Sequence, residues 1–152
     1  MSKFEEVHVT GHCYCGAVTF SVDLPAGEKP IFTAYCHCDS CRRSHAAPLY
    51  QVACVDKSQF TITAGDDHIN LFRKPGGTIV RAFSTCCGTR IMNTFPGWTP
   101  TGRTPVVFFP NLLQAGTMDN LPEPLRPKSQ SFGDDCVLEI GFLQQLFSDL
   151  DQ

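Results

Sequence analysis

The sequence predicts a mainly-β domain, and three observations lead there. Apolar residues recur at alternate positions in a series of short segments. Glycine and proline are scattered between those segments, and helical patterns are few. Nine cysteines, seven of them in three tight clusters, predict that metal is part of the architecture. The 152 residues fit a single domain, 1–152, and 42% hydrophobic against 18% charged residues can supply a core.

Each element follows from its local pattern. In 17–24, Val18, Phe20 and Val22 share one face of a strand that ends at Pro25. In 49–55, Tyr50, Val52 and Cys54 alternate with Gln51, Ala53 and Val55. Phe60, Ile62 and Ala64 alternate in the next strand, which stops at Gly65. Segments 68–73, 77–84, 90–95 and 105–110 read as further short strands, with Gly76-Gly77 suited to a hairpin turn between two of them. Cys136, Leu138, Ile140 and Phe142 alternate in a last strand over 134–142. The Gly/Pro-rich segments 96–105 and 121–135 are predicted loops. Two helical pieces are expected: one turn after the C-x-x-C, within 38–46, and a short C-terminal helix carrying Leu143, Leu146, Phe147 and Leu150.

Charge excludes some functions. A net charge of −3 offers no basic face for nucleic acid and no polybasic signal for a membrane surface. No apolar run is long enough to span a bilayer, and the acidic stretch at the N-terminus does not read as a secretory signal. A cytoplasmic location is expected. An odd cysteine count and spacings of C-x-C and C-C argue against a disulfide framework and for metal, zinc foremost.

The clusters divide the work. Cys13 and Cys15 are two apart, so in an extended segment both face one ion, and Gly16 follows where a tight bend costs least. Two cysteines make half a site, and Cys86-Cys87-Gly88 is the matching half. Adjacent residues diverge on a strand, so either one of Cys86 and Cys87 is a packed thiol or a bend at Gly88 lets both reach. Cys36, from the strand before a turn, joins Cys38 and Cys41 of the C-x-x-C as three ligands for a second ion. Cys54 and Cys136 stand alone on apolar strand faces and read as packed thiols.

Taken together, "GHCYCGAVTF", "YCHCDSCRRSHAAP" and "CCGTR" resemble the glutathione-dependent formaldehyde-activating enzymes, a group that includes the centromere protein V type domains. The likeness runs over 11–90 and more faintly to "PEPLRPKSQSF". It implies an Mss4-like zinc-binding fold of antiparallel strands. It also implies a structural zinc on Cys13, Cys15 and Cys87 and a catalytic-type zinc on Cys36, Cys38 and Cys41. The chain departs from the family at Ser84, which stands where a cysteine is usual. Cys86 is the expected replacement, completing a Cys13/Cys15/Cys86/Cys87 site.

The expected activity is that of a carbon–sulfur lyase, or S-(hydroxymethyl)glutathione synthase, adding a zinc-bound thiol to a small aldehyde. Its partners would be a glutathione-like thiol and formaldehyde or a similar carbonyl; no oligomeric state follows. Arg42 and Arg43 either contact carboxylates of the thiol substrate or serve surface solubility. His37 and His45 either relay a proton or bond to backbone. Trp98 either walls a pocket or is partial core. Two alternatives are a lyase using another thiol, since the C-terminal loop lacks the family's usual His and Leu-Pro-Trp stretch, and a zinc-stabilised binding module without catalysis.

Overall fold

The computed structural model describes residues 4–114 and 119–138. Alternating apolar segments fold into two sheets, as the period-2 pattern requires. The smaller sheet joins β1 (Val7–His12), β2 (Thr19–Leu24) and β5 (Phe60–Ala64), antiparallel, in the order β1-β2-β5. The larger contains β3 (Phe32–Cys36), β4 (Tyr50–Asp56), β6 (Ile69–Arg73), β7 (Val80–Ser84), β8 (Arg90–Thr94), β9 (Pro105–Phe108) and β10 (Ser129–Ser131). Its order is β10-β3-β4-β9-β8-β7-β6, antiparallel except for the parallel pair β10–β3.

The main core lies between the sheets. Phe20, Val22 and Leu24 of β2 pack with Ala53, Val55, Ile91, Val106 and Phe108 of the larger sheet. Phe20 stacks on Phe60 at 5.1 Å between ring centroids. The other face of the larger sheet is also covered, by a second cluster of Ala34, Tyr50, Val52, Cys54, Val107 and Phe109 that takes in Cys36 and Cys41. β4 therefore alternates as its sequence predicts, yet hides both faces, which is what a central strand does. The cysteine triplet is thereby built into an apolar layer.

One α-helix is described, α1 (Asp39–His45). It is longer than the expected single turn and begins before Cys41, because Cys38 serves as its N-cap: the Cys38 sulfur accepts the Cys41 N–H. Ala46 ends it in the left-handed region at φ 50°. Three further differences concern local pattern. β1 and β10 were not predicted: β1 sets two valines among polar residues and glycine, and β10 is three polar residues. The segment 121–135 holds β10 and two 3-10 turns rather than loop alone. The strand expected over 134–142 is, up to Leu138, a 3-10 turn at Gly133–Asp135 followed by irregular chain, so Cys136 is not on a strand face. The remainder of that segment and the expected C-terminal helix lie outside the described residues. Among the described residues no helix is long and apolar enough to cross a membrane.

Candidate metal centres and the pocket beside them

The first centre joins the turn after β1 to the turn after β7. Cys13 donates its N–H to Val18 O (2.9 Å) and accepts Gly16 N–H at its own carbonyl (3.0 Å). The Val18 N–H points at Cys13 Sγ (3.3 Å), a backbone donor aimed at sulfur. Gly16, at φ +81°, makes this loop possible. The second turn is closed by Gly88 N–H to Ser84 O (2.8 Å), with Gly88 at φ +74°. The two turns are pinned together by Thr89, whose Oγ1 accepts the Tyr14 N–H (3.1 Å) and lies 3.2 Å from Cys87 Sγ. When Cys87 is a thiolate it can only accept, and the Thr89 hydroxyl is then the donor of that contact. That bond, helped by Ser84, brings the Cys87 thiol down to about 5.

Cys13, Cys15 and Cys87 bring their sulfurs within 4.8 Å of one another. Tetrahedral zinc at about 2.3 Å per sulfur sets its ligand sulfurs roughly 3.8 Å apart, so this donor set fits zinc. Cys86, expected as the fourth ligand, is exposed and stands outside the group. On a turn this tight the neighbours of an inward residue point elsewhere, and Cys87 is the inward one. Ser84, by contrast, is fully buried at the end of β7 beside Cys87, and its hydroxyl makes no well-formed hydrogen bond.

The second centre gathers the end of β3 and the start of α1. The sulfurs of Cys36, Cys38 and Cys41 also lie within 4.8 Å of one another, and among the described residues no fourth Cys, His, Asp or Glu joins them. These donors fit zinc as well. Two residues from distant strands complete the surroundings. Arg81 of β7, almost fully buried, donates to Cys41 Sγ from Nη1 (3.6 Å) and Nη2 (3.5 Å), and to Ser40 Oγ (3.2 Å). Tyr50 of β4, opposite Cys36 in the strand register, hydrogen-bonds the Cys36 and Cys41 sulfurs. Bonded by Cys36, Tyr50 and Arg81 against the opposing effect of burial, the Cys41 thiol falls to about 4. Cys36, bonded to that thiolate and partly buried, is pushed up and keeps its proton. Burial and the two sulfurs likewise push the Tyr50 hydroxyl up.

A cavity of about 380 Å³ is walled by Tyr50 together with His45, Gly88, Thr89, Arg90 and Phe109, and among the described residues no cysteine lines it. His45 stacks on Tyr50 at 4.2 Å and meets the Phe109 ring edge-on at 4.6 Å. Burial first, then Arg90 and Arg81, lower its pKa to about 4, so it is neutral. His45 Nε2 and the Nε and Nη2 of Arg90 are buried without hydrogen-bond partners.

Other expected site residues lie elsewhere. Arg42 donates to His37 O (2.9 Å) and Asp39 Oδ1 (3.3 Å), and Arg43 to Asp39 Oδ2 (3.0 Å). Both are thus engaged by their own helix at i+3 and i+4 spacing. The His37 ring is fully buried and bonded to Gln130. Cys54 is a buried thiol pushed up to about 12 by burial. Trp98, 44% exposed, packs edge-on against Phe95 and lines a separate cleft of about 580 Å³ that no cysteine borders. Tyr50, Arg81 and Arg90 escaped the sequence reading. The available signal was an arginine at an inward position of an alternating strand, "VRAFS", and another closing "CCGTR".

Comparison with known proteins bears on the same residues. In shape the chain is similar to the crystal structure of a Rhodobacter sphaeroides protein, with a TM-score of 0.57 and 21% identity over 80% of this chain and 99% of that one. At that identity the likeness concerns the fold. The family described as glutathione-dependent formaldehyde-activating enzyme matches residues 8–135, a span that includes both groups of converging sulfurs and the cavity beside them. The match covers most of the sequence, so the chain belongs to the glutathione-dependent formaldehyde-activating enzyme family.

Proposed function

We propose that the protein joins a small thiol to a small aldehyde, with glutathione and formaldehyde the favoured pair, and cleaves the same carbon–sulfur bond in reverse. The observation that carries this reading is the group of three sulfurs of Cys36, Cys38 and Cys41, which no fourth Cys, His, Asp or Glu joins among the described residues, with Tyr50 between it and a cavity. Cys36, Cys38 and Cys41 would hold zinc there, and Cys13, Cys15 and Cys87 a second, structural zinc. Zinc, when bound to the triplet, would supply acidification of an incoming thiol, so that sulfur is nucleophilic at neutral pH.

The chain's own residues set the rest. Arg81 offsets the negative charge of the Cys41 thiolate in an apolar layer. Tyr50, keeping its proton, holds the sulfurs of Cys36 and Cys41 and separates them from the neutral His45. In the forward direction the thiol sulfur attacks the carbonyl carbon and a C–S bond forms. The C=O π pair moves to oxygen, which gains a proton as the thiol loses one; no oxidant is involved. A cytoplasmic setting, where thiols stay reduced, is proposed with it.

The test is exchange NMR of glutathione and formaldehyde with and without zinc-loaded protein. Accelerated exchange is expected, and exchange at the spontaneous rate with the triplet loaded would sink the reading. Cys38→Ser is expected to abolish the acceleration while the far-ultraviolet circular dichroism of the fold is kept.

A further inference from the structure

We propose that the Arg90–His45 cavity is a carboxylate subsite that anchors an acidic group of the thiol substrate beside the cysteine triplet. The inference rests on the reading of the triplet as a thiol site and names how the rest of the substrate is held.

An arginine withdrawn from water normally has a carboxylate, phosphate or carbonyl against it. Arg90 has two nitrogens, Nε and Nη2, buried without partners, and forms no ion pair among the described residues. The guanidinium carbon lies over the Phe83 ring, 5.9 Å from its centroid. Nε and one terminal nitrogen on the same edge are the pair that meets a carboxylate in fork fashion. His45 lines the same cavity, and its Nε2 is likewise buried without a partner. Arg81 adds a second positive charge, but it is bound to Cys41 and Ser40. The cavity therefore carries uncompensated positive charge, although the chain is acidic overall.

Position gives this charge a purpose. Tyr50 is shared: one side of its ring stacks with His45 inside the cavity, and its hydroxyl reaches the Cys36 and Cys41 sulfurs. A ligand with a carboxylate on Arg90 thus lies across one aromatic ring from the triplet. A volume of about 380 Å³ suits a small peptide-like acid. Arg42 and Arg43, the arginines nearest the triplet in sequence, are held by Asp39 and the His37 carbonyl. The carboxylate contact expected of them falls to Arg90.

The test uses S-methylglutathione, whose capped sulfur cannot ionise, titrated calorimetrically into the zinc-loaded full chain. A second titration uses the same compound with both carboxyls as ethyl esters. The wild-type protein is expected to prefer the free acid by roughly tenfold or more, the size of a charge-assisted bond. Arg90→Gln is expected to erase that preference and Arg90→Lys to keep part of it. If Arg90→Gln does not fold, His45→Phe keeps the ring stacking and is expected to weaken the acid several-fold. Absence of saturable binding to wild type, or a preference for the acid that survives in Arg90→Gln, overturns the subsite. No aldehyde is present, so the reaction is read separately. Arg90-dependent binding without accelerated exchange keeps the subsite and removes the reaction; accelerated exchange with Arg90-independent binding does the reverse.

Discussion

Ser84 ends β7 and Cys86 lies two positions on, in the turn that follows, and side-chain direction separates them. Ser84 points into the protein beside Cys87, while Cys86 points to solvent. A structural zinc usually has four protein ligands, and the sulfurs gathered here number three. Ser84, buried beside Cys87, would offer at best a weak, neutral ligand there. Ser84→Cys is therefore expected to raise zinc affinity at this site by roughly tenfold or more, since a thiolate is the stronger and softer donor. Competition with a chromophoric chelator measures it. Cys86→Ser is expected to leave the affinity unchanged; a loss as large as that from Cys87→Ser would mean that the turn rearranges to bring Cys86 inward. At this scale the sequence shows which positions depart from pattern, but the outcome depends on which side chain a turn aims inward.

Among the elements, the turn between β7 and β8 carries the most. It supplies Cys87 to the first centre, Thr89 to the pin between the two turns, and Gly88, Thr89 and Arg90 to the cavity wall. Gly88 stands at φ +74°, where an added Cβ meets no atom within 4 Å, so any cost of a side chain is conformational. Gly88→Ala is expected to destabilise the zinc-loaded protein by about 1 kcal/mol. Gly133→Ala, where neither φ nor space objects, should be neutral. Urea unfolding of the two variants measures the difference, and equal midpoints would show that the turn tolerates L residues. α1 is the corresponding device at the triplet. A cysteine as N-cap places Cys38 and Cys41 on one helical turn, and Arg81 reaches across from β7 to hold that turn to the larger sheet. The C-x-x-C spacing made a turn legible there; the strap from β7 was not, because its residues are 40 positions away in sequence.

For the whole molecule, the two sheets close one core, and two cysteine groups tie turns that the sheets leave at their ends. Metal should therefore contribute to stability as well as chemistry. Metal analysis of the native chain is expected to find close to two zinc, and stripping with a strong chelator is expected to lower Tm by about 10 °C, the size of roughly 4 kcal/mol from tight binding. A Tm unmoved by stripping would assign the fold to its sheets alone. The sequence by itself determined the mainly-β class, eight of the ten described strands, the triplet Cys36, Cys38 and Cys41, the half-site Cys13 and Cys15 with a partner in Cys86-Cys87, and the family. The strands, the triplet and the half-site Cys13 and Cys15 are written in spacings of two or three residues, a range over which backbone geometry alone fixes direction. Tertiary structure decided the exposure of Cys86, the burial of Ser84, the covering of both faces of β4, and the convergence of Tyr50, Arg81 and Arg90 on the triplet and its cavity. Those depend on strand order and register, which bring residues from β4, β7 and β8 to the helix that follows β3, and no local pattern encodes that meeting.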